Sequence, residues 1–395
     1  MTRITAFMLF LLFACFSLQA IADDWVGTWA TAVEPTTAKD MPASSLARRS
    51  IRQVVHVSLG GSELRLQLSN VYSPEAVEIK SVFVADTKDG SEIDVRSARY
   101  LKFNGKRGCV IQAGDSIFSD ALSYPLRPLQ RLAITVCYGD AVPEFGTSHR
   151  GSRTTSYIYN GTAKPKTRFI GTEDVDHWYN IAALDVRGEA PVVACLGNSI
   201  TDGRGTTTNA QNRWTDFLAE ALDGQMGVLN LGIGGNCVLR DGLSDPAVKR
   251  FHRDILGQRG VKVLIIFEGV NDIGGSSPLS SEEGPQVAQE LINAYSEMID
   301  KAHAQGIKVL MGTITPFGKS FYDTPFHEAA RQTVNDWIRT NAKADGFIDF
   351  DALVRDPQQP TQLLEAYSDD WLHLNPAGYE KMGKLAAEVI RRSER

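Results

Sequence analysis

Two short segments in the second half of the chain carry residue types that together can perform nucleophilic catalysis. Ser199 lies in the glycine-flanked segment 197–203, which reads GNSITDG, and Asp370 and His373 stand three residues apart in DWLHLNP. A serine in a tight turn can expose its hydroxyl, and a histidine oriented by a carboxylate can act as its base. Alone, the serine is more typical of a phosphate-binding or capping turn, and the histidine of a surface residue. Together they indicate a candidate Ser-His-Asp triad.

Two further segments lie between these in the sequence, NLGIGGN at 230–236 and EGVND at 268–272. The first is either an ordinary glycine-rich loop or a turn whose amide points at a developing oxyanion. In the second, Asn271 is either a turn former, with Asp272 as a cap, or the donor of a side-chain NH2 to the same oxyanion. Four such segments in order favour a catalytic role over four unrelated turns.

Other site chemistry finds less support in the sequence. No lysine follows the glycines as in a P-loop, and the G-x-G-x-x-G spacing is absent, which argues against nucleotide binding. We see no cluster of metal ligands and expect no cofactor. Asp202 and Asp272 resemble a glycosidase carboxylate pair, but their positions in turns favour structural hydrogen bonding.

The elements that must position these segments alternate between strand and helix from residue 191 onward. Continuously apolar strands separated by helices indicate a parallel sheet covered on both faces, and ligands bind at the carboxyl ends of such strands. Asn375 is expected as N-cap and Pro376 as the first residue of the last helix. The predicted strands are 192–196, 228–231, 261–267, 308–314 and 347–350, and the predicted helices are 214–222, 286–304, 327–342 and 376–392.

The first half of the chain has a strand period instead. Alternating apolar residues at 55–59 and 64–68, joined through Gly60 and Gly61, predict a hairpin with one buried face. Further short runs without helical period predict an all-β sandwich or jelly-roll-like domain at 23–187. A linker near 187–191 then leads into a catalytic domain at 188–395. The other predicted strands are 77–84, 98–103, 109–111, 131–138 and 156–159.

The start of the chain predicts export. Arg3 precedes an apolar run at 6–16, and Ala20-Ile21-Ala22 offers small residues for cleavage before Asp23. Residues 1–22 are therefore expected to be a signal peptide, and the run falls short of a membrane span, so no stable insertion is expected after its removal. A lipoprotein signal ending at Cys15 fits the sequence less well. The expected location is secreted or periplasmic.

The amino-acid composition limits the classes of binding partner and the disulfides that the protein can form. The 395 residues carry 41 Lys and Arg against 47 Asp and Glu, a formal charge of −6, which argues against nucleic-acid binding. Past the signal, Cys109, Cys137, Cys195 and Cys237 show no C-x-x-C spacing. Cys109 and Cys137 could form one disulfide, whereas Cys195 is expected to be an inert buried thiol.

The four segments resemble those of the SGNH hydrolase superfamily, whose GDSL-type esterases carry Ser, Gly, Asn and His in this order. The resemblance spans residues 191–392 and implies a three-layer α/β/α fold with five parallel strands in flavodoxin-like order. Asn198 and Asn236 depart from the family pattern, where many members have Asp, which affects substrate preference more than activity. The implied roles are nucleophile for Ser199, base for His373, orientation of that base for Asp370, and an oxyanion hole made of the Ser199 amide, the Gly235 amide and the Asn271 side chain.

The first half resembles, at 25–30 (WVGTWA) and 52–70, the β-domain of secreted members grouped with xylan esterases. The function that follows is a secreted serine esterase that removes short acyl groups, acetyl above all, from a small-molecule or polysaccharide ester. Two alternatives stay open: a lipase or phospholipase acting on longer chains, and a non-catalytic carbohydrate-binding protein. Hydrolysis is expected to need no metal and to fall below about pH 6, with Asp370 raising the pKa of His373.

Overall fold

The computed structural model describes residues 24–275, 280–340 and 342–393. The predicted signal peptide at 1–22 lies outside the described residues, so its cleavage stays a prediction. None of the described helices combines the length and the apolar character needed to cross a bilayer.

From residue 24 to 187 the described chain forms β-strands that associate in three antiparallel sheets. The first has the order β1-β15-β4-β8 with β9 beside β4, the second β13-β12-β3-β10-β5-β6 with β7 beside β5, and the third β14-β11-β2. These elements are compatible with the predicted all-β half. The strands are β1 Trp25–Ala30, β2 Glu34–Pro35, β3 Ser50–His56, β4 Gly61–Ser69, β5 Val77–Asp86, β6 Arg99–Tyr100, β7 Cys109–Ile111, β8 Ser116–Phe118, β9 Leu122–Leu126, β10 Arg131–Tyr138, β11 Thr147–His149, β12 Ser156–Tyr159, β13 Glu173–Val175, β14 Trp178–Tyr179 and β15 Ile181–Arg187.

The predicted hairpin at 52–70 is wrong, because its two strands belong to different sheets. β3 pairs with β10 and β12, whereas β4 pairs with β15, β8 and β9. The residues between them do not fold back: the Val57 amide donates to the Gln130 carbonyl, and the Ser58 amide donates to the Thr28 carbonyl. The alternation of apolar residues correctly predicted both strands. Their pairing depends on strands that are distant in sequence, which the alternation does not identify.

From residue 192 onward strands and helices alternate, as predicted. The strands form one parallel sheet in the order β17-β16-β18-β19-β20, the flavodoxin-like order that the resemblance implied. The elements are β16 Val192–Gly197, α1 Ser199–Asp202, α2 Trp214–Leu222, β17 Gly227–Gly232, α3 Ala247–Phe251, a π-helical turn His252–Leu256, β18 Val261–Phe267, α4 Val270–Gly274, α5 Glu283–His303, β19 Lys308–Gly312, α6 Pro325–Thr340, β20 Gly346–Ile348, α7 Phe350–Val354, a 3-10 turn Glu365–Tyr367 and α8 Pro376–Ser393.

Alternate residues of β16, an inner strand of the sheet, enter two different apolar cores. Val193 and Cys195 pack in the core that contains α2 and α8. Ala194 and Leu196 pack in the core that contains α5 and α6. Because successive side chains of a strand point to opposite faces, the sheet is covered by helices on both sides. The predicted parallel sheet between helices is confirmed.

The last strand is shorter than predicted. β20 ends at Ile348, and Phe350 begins α7 instead of continuing the strand. The Asp349 carboxylate accepts a hydrogen bond from the Ala352 amide at 3.1 Å, and this cap starts the helix early.

The two halves meet along β17, which is an edge strand of the parallel sheet. β1 of the first half runs beside it, and the Gly27 amide donates to the Arg259 carbonyl at 3.1 Å. The Val228 amide of β17 donates to the Ser58 hydroxyl at 2.9 Å. An edge amide thus finds its acceptor in the other half of the chain.

All four described cysteines are free thiols. The disulfide that the sequence left open between Cys109 and Cys137 is therefore not formed. Cys195 is fully buried in β16, and burial raises the pKa of its thiol, as expected for an inert packing residue.

Candidate active site

Ser199 lies where β16 ends and α1 begins. The Asn198 side chain caps this turn by accepting a hydrogen bond from the Ile200 amide at 3.0 Å. The same side chain donates to a Glu268 carboxyl oxygen at 3.1 Å. Burial raises the pKa of Glu268 to about 8. An aspartate at position 198 could not donate to that oxygen in its ionised form, which gives a physical reason for the asparagine.

The predicted serine, histidine and aspartate are brought together. Ser199 Oγ lies 2.9 Å from His373 Nε2, and His373 Nδ1 lies 2.7 Å from Asp370 Oδ2. The other Asp370 oxygen accepts hydrogen bonds from the His373 amide at 2.7 Å and the Leu372 amide at 3.0 Å. The carboxylate is thereby fixed both to the imidazole and to the backbone that carries it.

This arrangement selects one tautomer of His373. A carboxylate can only accept, so Nδ1 carries the proton and donates to Asp370. Nε2 is then left with a lone pair toward the Ser199 hydroxyl, which donates to it. The serine proton therefore already faces a base.

The loop that carries this pair is held by the start of the last helix. The Asn375 side chain accepts from the Ala377 and Gly378 amides at 3.1 and 3.2 Å, and Pro376 is the first residue of α8. The predicted cap is confirmed, and it fixes the position of His373 two residues upstream.

The pKa of His373 is lowered from its ordinary value of 6.5. Burial is the largest cause, because it disfavours the charged imidazolium, and the guanidinium groups of Arg204 and Arg153 act in the same direction. Asp370 opposes them but does not prevail. The contribution of Asp370 thus has the expected direction, but burial and the two arginines outweigh it.

The predicted oxyanion donors Ser199, Gly235 and Asn271 line the same cleft. Asn271 Nδ2 donates to the Asn236 carbonyl at 2.8 Å, which leaves the second hydrogen of that nitrogen free of this bond. Gly235 has a φ of 74°, a conformation that favours glycine, and a Cβ there would lie 3.0 Å from Leu243. Within the part of the chain that the structure describes, the Ser199 and Gly235 amides have no acceptor.

Tyr322 is a site residue that sequence reasoning missed. Its hydroxyl donates to Asn271 Oδ1 at 2.9 Å and so fixes the orientation of the amide. The ring lies against Gly274, where a Cβ would come within 2.2 Å of it. No motif marks Tyr322, because it follows β19 in a loop without periodicity.

Asp202 and Asp272 make structural hydrogen bonds instead of forming a paired acid and base. Asp272 accepts from the Val238 and Leu239 amides at 2.8 and 3.0 Å and fixes the loop after Gly235. Asp202 interacts with two side chains of the first half of the chain. The role predicted for both aspartates agrees with this geometry.

The triad opens into a cleft that residues of both halves line. Most of its lining residues have polar or charged side chains. The first half contributes residues from β2, from the loop after β2 and from the loop after β11, and the sequence alone did not locate this contribution. The lining from the first half is Glu34, Asp40, Arg150, Gly151 and Arg153, and that from the second is Ser199, Asp202, Arg204, Gly234, Gly235, Leu243, Asn271, Phe321, Tyr322, Asp370, Leu372 and His373.

Across the described ranges, no three His, Cys, Asp or Glu side chains are placed to hold a metal ion. At the carboxyl edge of the parallel sheet, Ser199, His373 and Asp370 are in contact in the order of a Ser-His-Asp triad, an arrangement typical of serine hydrolases.

Residues 195–381 match the sequence profile of the GDSL-like Lipase/Acylhydrolase family. The match spans just under half of the chain, so this part is similar to a family of lipases and acylhydrolases.

Two curated sequences and several solved structures are similar to parts of the chain. An acetylxylan esterase of Xylanibacter ruminicola is 26% identical over 234 residues, 55% of this chain and 47% of that protein. The uncharacterized lipoprotein YqeF of Bacillus subtilis is 30% identical over 161 residues, 38% of this chain and 60% of that protein. The chain thus aligns with only about half of the length of these relatives.

Among solved structures, a carbohydrate acetylesterase, Est24, from Sinorhizobium meliloti is 15% identical, with a TM-score of 0.40 over 51% of this chain and 99% of that one. A GDSL-like lipase from Bacteroides thetaiotaomicron is 20% identical, with a TM-score of 0.39 over 51% of this chain and 88% of that one. Similarity of this degree does not indicate a shared substrate.

Proposed function

We propose that this protein is an exported serine esterase that removes short acyl groups, acetyl above all, from carbohydrate. The observation that carries the proposal is the continuous hydrogen-bonded chain from Ser199 Oγ through His373 to Asp370 at the floor of an open, polar cleft. In this proposal residues 188–395 form the catalytic domain, and residues 23–187 form a β-sandwich domain that lines one side of the cleft.

Each of these residues has a role in the proposed hydrolysis of an ester. Ser199 Oγ attacks the ester carbonyl while its proton passes to His373 Nε2, and the carbonyl oxygen becomes an oxyanion that the Ser199 amide, the Gly235 amide and Asn271 can stabilise. The carbon–alkoxy bond then breaks, and the alcohol leaves with the proton from His373. Water attacks the acyl-serine, gives a proton to His373, and the collapse of the second intermediate returns that proton to Ser199.

The polar lining of the cleft supports a carbohydrate alcohol. Asp40, Arg150, Arg153 and Arg204 line the cleft and offer hydrogen-bond donors and acceptors of the kind that sugar hydroxyls use. The similarity to an acetylxylan esterase points in the same direction. Export rests on the residues at 1–22 and agrees with the similarity to a lipoprotein.

A lipase or phospholipase function is the second candidate, and one observation favours it. Leu243 and Phe321 line the cleft with 59% and 79% of their surface exposed. Large apolar side chains exposed at the mouth of a site are typical of contact with an acyl chain or a lipid surface.

The test compares p-nitrophenyl acetate with p-nitrophenyl octanoate, and then measures acetate release from acetylated xylan. We expect a higher kcat/KM for acetyl than for octanoyl and release of free acetate, with Ser199→Ala as the inactive control. Preference for octanoyl without acetate release supports the lipase function. If the parent protein neither hydrolyses any ester nor reacts with a fluorophosphonate at Ser199, the protein is a binding protein and the proposal fails.

A further inference from the structure

A buried cluster of charges lies behind the nucleophile, around Asp202. This residue ends α1, the short helix that Ser199 begins, and only 2% of its surface is exposed. Its Oδ1 lies 2.8 Å from His149 Nε2, and its Oδ2 accepts from Arg153 at 3.1 Å. Both partners belong to the first half of the chain. The carboxylate three residues after the nucleophile is therefore held by the other half of the protein.

The geometry around His149 identifies its protonation state. Its Nδ1 lies 2.8 Å from the Ala32 carbonyl, and its Nε2 lies 2.8 Å from the Asp202 carboxylate. Both oxygens can only accept, whereas a neutral imidazole has a single N–H. A neutral ring would turn a lone pair toward one of these acceptors. His149 is accordingly an imidazolium, which forms a charged pair with Asp202.

The other charged groups near this pair belong to several elements. Burial opposes the charge on His149, but Asp202 and then Glu34 of β2 outweigh it, so the pKa of His149 is raised above 6.5. Arg150 is paired with Glu34, and Arg153 and Arg213 act on the Asp202 side. The ring is also stacked on Trp178 at a centroid distance of 5.7 Å.

The loop after His149 leaves Asp202 little room to move. A Cβ on Gly151 would lie 1.9 Å from Asp202 Oδ2, so only glycine allows the backbone to come this close. The carboxylate is confined between this backbone, the imidazolium and Arg153. A shift of α1 toward the first half is blocked by contact, and a shift away from it separates buried charges.

We propose that His149 is a positioning residue of the first half of the chain, which through Asp202 fixes α1 and thereby places Ser199 Oγ against His373. This inference rests on the proposed esterase function and gives the first half a role in turnover beyond lining the cleft. The His149–Asp202 ion pair exists below the pKa of His149 and is lost as the pH rises through it. An alkaline decline in kcat follows from that loss.

The experiment compares variants of two histidines that join the same halves. His56 Nδ1 lies 3.1 Å from Asp216 Oδ1, but Asp216 belongs to α2, which carries no nucleophile. His56→Gln is therefore a matched control for His149→Gln, which keeps a donor near Asp202 but removes the charge. His149→Ala removes both. We would measure kcat and KM for p-nitrophenyl acetate from pH 6 to 10, the rate of fluorophosphonate labelling at Ser199, and thermal unfolding.

We expect His149→Ala to lower kcat and the labelling rate by roughly 10- to 100-fold, with KM within about twofold, since a small misplacement of a reacting group can have this effect. His149→Gln should lose less and should lack the alkaline decline, whereas His56→Gln should keep the parent kcat. If His149→Ala fails to fold, His149→Gln combined with Asp202→Asn, which removes both charges of the His149–Asp202 pair, takes its place with the same expected loss of labelling.

Three results would overturn the inference. One is an equal loss of kcat in His56→Gln and His149→Gln, which means that the halves need only stay associated. The others are a parent labelling rate in His149→Ala and an alkaline decline that persists in His149→Gln. A parent protein that hydrolyses no ester contradicts the proposed function instead, so the two failures are distinct.

Discussion

The hydrogen bond from Tyr322 to Asn271 yields a quantitative prediction for the oxyanion hole. Tyr322→Phe removes the hydroxyl that donates to Asn271 Oδ1 at 2.9 Å. The ring stays packed, at 4.4 Å from Phe321 and 6.2 Å from Phe317 between centroids. The substitution therefore tests the orientation of one amide without creating a cavity.

The expected magnitude follows from what remains in place. A neutral hydrogen bond of this kind contributes about 1 kcal/mol, which corresponds to roughly a fivefold change in rate. Asn271 keeps its bond to the Asn236 carbonyl, so the amide is loosened and not released. Complete removal of one oxyanion donor, as in Asn271→Ala, costs roughly 10²- to 10³-fold in kcat.

The assay is steady-state hydrolysis of p-nitrophenyl acetate by both single variants and the double variant. We expect Tyr322→Phe to lower kcat about fivefold at unchanged KM, and the double variant to equal Asn271→Ala, because the tyrosine acts only through the asparagine. Tyr295→Phe is the matched control, since its buried hydroxyl donates to the Glu268 carbonyl and does not touch Asn271. Additive losses in the double variant would refute this reasoning.

Four further predictions concern the triad, the metal requirement and the buried carboxyl beside Asn198. Ser199→Ala should lower kcat by several orders of magnitude without changing the unfolding temperature; retained turnover would exclude Ser199 as the nucleophile. Activity should fall as the pH drops through the pKa of His373, which burial places below 6.5, because only the neutral imidazole accepts the serine proton; an acid midpoint above 6.5 in the rate–pH profile contradicts this. Hydrolysis should survive excess chelator, and rescue of a chelated sample by a divalent ion would disprove it. The pKa of Glu268 is about 8 in the folded protein and about 4.5 in the unfolded chain, so the folded state holds this proton more tightly. The free energy of unfolding should therefore fall as the pH rises from 4.5 to 8. Glu268→Gln should abolish that fall, as measured by denaturant unfolding at pH 5 and pH 8.

Local sequence signals predicted the parts of the site that depend on strand ends. Ser199, Asn271 and His373 follow buried strands or precede a capped helix, and parallel strands bring their carboxyl ends to one edge. The contact between Asp370 and His373 follows from their spacing. The sequence alone predicts these positions because a local periodic pattern and a short turn determine them.

The remainder depends on contacts between residues distant in sequence. His149 meets Asp202 across 53 positions, and Tyr322 meets Asn271 across 51. No spacing rule reports such pairs. The net pKa shift of His373 likewise depends on burial by surrounding residues, which a motif does not contain. The mispaired hairpin at 52–70 has the same origin, since alternation identifies strands but not their neighbours.

The position of β1 beside the edge strand Gly227–Gly232 bears on how the chain folds. An uncovered edge presents free amides and carbonyls to strands of other molecules and promotes aggregation. In this protein the Val228 amide is satisfied by Ser58, some 170 residues earlier in the chain. A fragment that begins at residue 188 would lose this cover and expose an apolar edge, and we expect it to aggregate. The intact chain should unfold in one cooperative transition, because neither half completes its surface without the other.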